Sequence, residues 1–248
     1  MSGTRNYFFS SLCRTYGLVV PFVVAVLSIG LVSSGAALAG TWSRTGPLVT
    51  PRDSHKATLL NDGQVLVTGG FNRTPEASTY LASSELYNPV SGSWSNTVGA
   101  LNNPRAGHTA TLLNTGQVLV VGGRNSSTYL QTLELYAPGT KIWSYTFGAL
   151  STPRTGHTAT LLNDGRVLVV GGRSASSTYP TTAAYYHPPT QTYGGIVSPL
   201  ATREGHTATL LANGKVLVAG GWYGVSLERV ELYRPRSISA ILSLFLLE

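Results

Sequence analysis

Apolar and polar positions along this chain follow one pattern, repeated four times. A polar lead-in reaches a histidine. Ala-Thr-Leu-Leu comes two residues later, then a short polar stretch with a glycine, then an unbroken apolar run that closes on Gly-Gly. The pattern extends from Pro51 to Gly70, from Pro104 to Gly123, from Pro153 to Gly172 and, with Thr202 in place of the proline, from Thr202 to Gly221. His55, His108, His157 and His206 lie 53, 49 and 49 residues apart, and the pairs Gly69-Gly70, Gly122-Gly123, Gly171-Gly172 and Gly220-Gly221 keep the same intervals. A period near fifty residues denotes an array of like units, each burying its faces against its neighbours. It also sorts the residues: one present in every copy is expected to serve the fold, and one that breaks the pattern is the better candidate for a site.

Each copy predicts four strands. Strand a is His-x-Ala-Thr-Leu-Leu, as in His108 to Leu113. The segments Asn61-Asp62-Gly63, Asn114-Thr115-Gly116, Asn163-Asp164-Gly165 and Ala212-Asn213-Gly214 predict two-residue hairpin turns into an antiparallel strand b, because Asn-Gly and Asp-Gly tolerate positive φ. Strand b, such as Val167 to Gly172, is apolar without alternation and is expected to be buried on both faces. Strand c carries Glu85-Leu86-Tyr87, Glu134-Leu135-Tyr136, Ala184-Tyr185-Tyr186 and Glu231-Leu232-Tyr233, each with a proline one residue further on. Strand d is marked by Trp94, Trp143 and Tyr193. A proline after c and an aromatic on d suit an outer edge that must not recruit further strands. Four antiparallel strands per unit read as a β-propeller blade, so the fold class is all-β.

These residues carry a resemblance. The block Pro-Arg-x-x-His-x-Ala-Thr-Leu-Leu-x-x-Gly-x-Val-Leu-Val-x-Gly-Gly, followed by Glu-Leu-Tyr-x-Pro and a tryptophan, resembles the kelch motif and is most similar to bacterial kelch proteins grouped with the galactose oxidase central domain. It covers about residues 41 to 236. The expected organisation is a leader over 1–39, a propeller over 40–236 and an atypical apolar tail over 237–248.

Blade number is less determined. Complete d strands follow only three of the four a–b–c sets, but Thr41 to Arg52 reads like Ser93 to Arg105. Trp42 is therefore expected on a strand d that pairs with Glu231-Leu232-Tyr233 and closes a ring of four blades. The resemblance implies five to seven blades, so a fragment or an open, assembling arc is the alternative. Ile238 to Leu247 is apolar, lacks the expected turn and tryptophan, and is too short to span a bilayer.

Composition adds the compartment. Apolar residues make up 42% of the chain and charged ones only 11%, which excludes a disordered tail. Arg5 and Arg14 precede the uncharged, mostly apolar run Leu18 to Val32, and Ala37-Leu38-Ala39 is a small-x-small cleavage site. This predicts an export signal and a mature start at Gly40, with an uncleaved anchor as the alternative. The sole cysteine, Cys13, falls within the leader, so the mature chain is expected to hold no disulfide and no thiolate ligand. The net charge of +7 is diffuse, a mild bias toward anionic partners without the dense basic stripe of a nucleic-acid binder.

Candidate chemistry lies on one face. The b–c connections, at Phe71 to Ser83, Arg124 to Thr132, Arg173 to Thr182 and Trp222 to Arg229, are long and variable. Three contain Ser-Thr-Tyr, ending at Tyr80, Tyr129 and Tyr179, and Arg73, Arg124, Arg173, Trp222 and Tyr223 stand beside them. Aromatic planes next to arginines and hydroxyls suit sugar rings, carboxylated glycans or a protein epitope. The alternative is that the tyrosines pack onto the neighbouring blade. The four histidines are expected at the mouth of the central channel, with a structural hydrogen bond favoured over metal binding. Arg52, Arg105, Arg154 and Arg203 are expected to pair with Glu85, Glu134 and Glu231. Ala184 breaks the acidic series and leaves Arg154 the least neutralised.

Three functions follow. The first is a secreted, non-catalytic propeller that binds a glycan or protein, with anionic ligands favoured and no cofactor. The second, an oxidase of the galactose oxidase kind, requires by that resemblance a cysteine crosslinked to a tyrosine, and the mature chain offers none. The third is a sugar epimerase or lyase acting on an acidic sugar, with Glu204, His206 and Arg154 as acid/base and carboxylate-binding groups.

Overall fold

The structure is a computed structural model that describes residues 40–175 and 178–235. The leader expected over 1–39, with Cys13, and the tail expected over 237–248 lie outside the described residues. Among the described residues every regular element is a strand. The first sheet has the order β1 (Lys56–Leu59), β2 (Val65–Thr68), β5 (Ser84–Asn88), β6 (Ser93–Asn96). The second is β7 (Thr109–Leu112), β8 (Val118–Val121), β9 (Leu133–Ala137), β10 (Ile142–Tyr145). The third is β11 (Thr158–Leu161), β12 (Val167–Val170), β13 (Ala183–His187), β14 (Thr192–Val197). The fourth has three strands, β15 (Thr207–Leu210), β16 (Val216–Ala219) and β17 (Val230–Tyr233). All pairings are antiparallel. The chain thus forms four propeller blades from four copies of one motif.

The first b–c connection, expected as a plain loop, contains a further hairpin, β3 (Phe71–Arg73) against β4 (Ser78–Tyr80). The a–b turns also differ from expectation. They are three-residue loops: the Leu60 amide bonds the Gln64 carbonyl, Gly63 closes back onto the Leu60 carbonyl, and only the glycine takes positive φ, at 83°. A type I turn followed by a left-handed glycine requires one such residue, so Asp62 keeps ordinary geometry.

Strands β1, β7, β11 and β15 are innermost, and consecutive ones pack together. The cores lie between blades. One joins Leu60, Leu66 and Leu86 of the first blade to Val118, Val120 and Trp143 of the second. Another joins the second blade to the third around Leu119, Leu133 and Val169, and a third links Leu168 and Val170 to Val216 and Val218. Strands β8 and β12 are buried along their whole length, because a blade neighbours them on both sides. The Gly-Gly pairs make this approach possible. A Cβ on Gly69 would lie 2.5 Å from the Arg105 carbonyl, and the amides of Gly70, Gly123 and Gly172 bond the carbonyls of Arg105, Arg154 and Arg203 of the next blade, each at 2.8 Å.

The strand d expected from Trp42 does not form. Trp42 is fully exposed and lies in no strand, and among the described residues β17 pairs with β16 alone. Trp143 and Tyr193, on β10 and β14, fill the spaces between the first and second and the second and third blades. Between the third and fourth, where no strand d aromatic enters among the described residues, a cavity of about 300 Å³ remains, lined by Leu168, Val170, Val218, Leu232 and Tyr233. The segment after Trp42 docks on the first blade instead: the Gly46 amide bonds the Gly92 carbonyl at 2.9 Å.

Candidate binding face

Each blade entry is fixed by the same polar lattice. The arginine two residues before the a-strand lead-in reaches back under its own Gly-Gly: Arg105 donates to the carbonyls of Gly122 and Thr132 and is paired with Glu134. Glu134 also accepts the amides of Asn102 and Asn103. Arg52 and Glu85 (2.5 Å) and Arg203 and Glu231 (2.6 Å) repeat the arrangement, with the amides of Val49, Thr50, Leu200 and Ala201 as the backbone donors. Arg154 repeats it without a carboxylate. These four arginines therefore orient the connection that carries the chain from one blade to the next.

The histidines face the next layer of this stitching. His157 Nε2 lies 3.1 Å from Thr109 Oγ1 of the preceding blade and His206 Nε2 lies 2.9 Å from Thr158 Oγ1. In the first copy Lys56 replaces this threonine, and His108 instead meets Thr68 at 2.9 Å, the residue directly across the ladder from Lys56. Each bond runs from the lead-in of one blade to a strand of the blade before it. Burial, aided by Arg154 and Arg203 respectively, holds His157 at about 3 and His206 at about 4, and burial holds His108 well below the usual imidazole value. These rings are neutral at physiological pH. They line a shallow axial depression of about 400 Å³ together with Lys56, Gly107 and Gly156. No metal-binding cluster occurs among the described residues.

Glu204 does not join His206. Its carboxylate stands 3.5 Å from Arg173 Nε, and no hydrogen bond joins Glu204 to His206 among the described residues. Arg154 is fully buried in the blade lattice, so the three groups named for acid/base chemistry do not converge on one reacting position.

The b–c loops do come together in pairs. In the first blade Phe71 and Tyr80 meet edge to face at 4.6 Å, Arg73 lies 5.2 Å over Phe71 and bonds Asp53, and Arg124 from the second blade lies 5.8 Å over Tyr80. These side chains, with Ser54 and Gly107, enclose a recess of about 130 Å³. Between the third and fourth blades, Tyr179 contacts Trp222 at 6.0 Å and Tyr223 at 5.0 Å. Trp222 and Tyr223 remain 43% and 52% exposed, so this cluster presents aromatic surface outward while being held from behind by Tyr179. Tyr129 is half-buried and its backbone bridges Arg124, but its ring joins no aromatic pair among the described residues. The threonine partners of the histidines escape a reading of single residues, although the exchange of Lys56 with Thr109 and Thr158, matched by Thr68 against Val121 and Val170, carries that signal.

No curated protein matches the chain significantly. A family model described as the KLHDC2/KLHL20/DRC7 Kelch-repeats domain matches residues 38–221, most of the chain and all four Gly-Gly blocks. With blade sheets, glycine pairs and strand d aromatics in their repeated places, this chain belongs to the kelch-repeat family.

Proposed function

We propose that this chain is a non-catalytic binding module that takes a protein ligand through its b–c loop face. Kelch domains generally bind proteins, which supplies the class of partner. The observation that carries the choice of face is the Tyr179–Trp222–Tyr223 cluster, built from two blades and exposed at Trp222 and Tyr223. Large aromatics held rigid from behind lose little entropy on binding and are favoured anchors of interfaces. Arg124, which lines the first recess and pairs with no carboxylate among the described residues, favours ligands with acidic groups. Secretion, read from residues 1–39, would place that ligand outside the cytoplasm.

The same cluster suits stacking against sugar rings, so a glycan is the second reading. Peptide and glycan arrays probed with the wild-type chain and with the double variant Tyr179→Ala/Trp222→Ala separate the two. The expected result is enrichment of acidic peptides, weakened at least about tenfold in the variant, with an unchanged melting temperature. Binding that survives the double substitution would overturn the choice of face, and exclusive capture of glycans would overturn the choice of ligand.

A further inference from the structure

We infer that the third blade contains a binding site for a small monocarboxylate anion, of acetate or formate size, centred on Arg154. The site is defined by comparison of the blades with one another. In the first, second and fourth, one glutamate of strand c receives an arginine and two consecutive backbone amides: Glu85 takes Arg52, Val49 and Thr50; Glu134 takes Arg105, Asn102 and Asn103; Glu231 takes Arg203, Leu200 and Ala201. In the third blade the corresponding residue is Ala184, and the corresponding donors are Arg154 and the amides of Ser151 and Thr152.

The donors hold their places although the acceptor is gone. Arg154 Nη1 bonds the carbonyls of Gly171 and Thr182, both at 3.0 Å, matching the bonds of Arg105 to Gly122 and Thr132 at 2.9 and 3.2 Å. The backbone frame is also preserved: Leu150 N to Gln131 O and Leu101 N to Ala82 O are both 2.9 Å, and Arg154 N to Leu130 O and Arg105 N to Leu81 O are both 3.1 Å. Arg154 Nη2 retains only the Thr182 hydroxyl, at 3.3 Å, and the amides of Ser151 and Thr152 find no acceptor among the described residues.

Arg154 is fully buried, and no carboxylate pairs with it among the described residues. A buried cation lacking its counter-charge is costly, and a charge-assisted, bidentate partner is the strongest remedy available to a guanidinium.

The size of the ligand follows from covalent structure. Alanine differs from glutamate by a CH2–COO⁻ group in place of one hydrogen, which is acetate in outline. Ala183 pairs with Val197 and Tyr185 with Gly194, so β14 bulges opposite Ala184, and the buried Tyr193 hydroxyl of β14 lacks a bonding partner among the described residues. Bulges concentrate where a sheet is adapted to a local purpose. Ser151 is exposed and Thr152 half-buried, which gives an anion a path from solvent along its own donors.

The test uses the full chain at pH 7, melted in sodium acetate and in sodium chloride of equal ionic strength. Acetate at ten times its dissociation constant is expected to raise the melting temperature by roughly 3–6 °C over chloride. In Ala184→Glu the tethered carboxylate fills the site, so the variant is expected to melt above the parent and to lose the acetate effect. As an independent readout, line broadening of 13C-acetate in the presence of the wild-type chain is expected to vanish in Ala184→Glu and to persist in a control, Glu228→Gln, on the exposed b–c loop. Equal stabilisation by chloride, absence of broadening with the wild type, or an acetate effect retained in a folded Ala184→Glu would each overturn the assignment.

Discussion

Residues repeated in all four copies act at the seams between blades. His108 shows how. Its ring is buried, its Nε2 meets Thr68 of the blade before it, and its neighbours His157 and His206 do the same with Thr109 and Thr158. Loss of one such bond by His108→Ala is expected to cost about 1–3 kcal/mol in urea unfolding, and a variant as stable as the parent would remove the histidines from the structural lattice. The pH dependence has a definite sign. His157 and His206 are held at about 3 and about 4 against an ordinary 6.5, so the unfolded chain takes up protons first as pH falls. Their contribution is complete above that ordinary value and is lost as pH drops toward 4 and then 3, by up to about 1.4 kcal/mol per pH unit for each ring. Urea unfolding from pH 7 to 4 is expected to show this decline, shallower in His157→Asn. A flat profile would contradict the neutral, buried state. The sequence made the histidines visible through repetition. It did not make their partners visible, because Thr68 substitutes for a threonine lost at position 56 through a cross-strand pairing that only the register reveals.

At the scale of elements, the arginine–glutamate–amide lattice ties the lead-ins of the first, second and fourth blades to strand c of the blade each one enters. Removing one member of a buried pair leaves the other uncompensated, so Glu134→Ala is expected to destabilise by about 3–5 kcal/mol. Glu76→Ala, on an exposed b–c hairpin, is expected to be neutral in the same measurement. Strands a, b and c were legible because their apolar runs and punctuating glycines recur. Two local features were not. The hairpin of β3 and β4 occupies a segment, Phe71 to Tyr80, with no apolar alternation, and its shorter counterparts form only single bridges, such as Arg124 with Tyr129 and Trp222 with Ser226. The a–b turns contain Asn-Gly or Asp-Gly dipeptides in three copies, yet the flanking bonds set a three-residue loop in which the preceding Asn or Asp needs no unusual φ.

For the whole molecule, repetition explains the interior, and the first and last copies differ where none of the described residues covers their outer side. Leu59 is 64% exposed on β1, whereas the equivalent Leu112 and Leu161 are half-buried between blades. The amide of Gly221 and the hydroxyl of Thr207 lack the partners that Gly172 and Thr158 find in a following blade, among the described residues. The expectation that Trp42 would complete the fourth sheet rested on its likeness to Trp94 and Trp143. Likeness of sequence fixes a strand's character and leaves open whether the chain can reach the empty edge. Trp42→Ala is accordingly expected to leave the melting temperature unchanged, while Trp143→Ala, which empties a filled space and removes the indole's bond to the Ser84 hydroxyl, is expected to cost about 3–5 kcal/mol. Equal losses would mean that Trp42 does close the fourth blade in solution.

In the proposed binding mode, ligand is taken by the b–c loops and not by the short turns on the opposite side. Hydrogen exchange of the wild-type chain with and without the best acidic peptide from the array tests it directly. Slowed exchange is expected in residues 222–229 and in the neighbouring third-blade loop, with the a–b turns around Gly63, Gly116, Gly165 and Gly214 unchanged. Protection confined to those turns, with the loops unaffected, would contradict it.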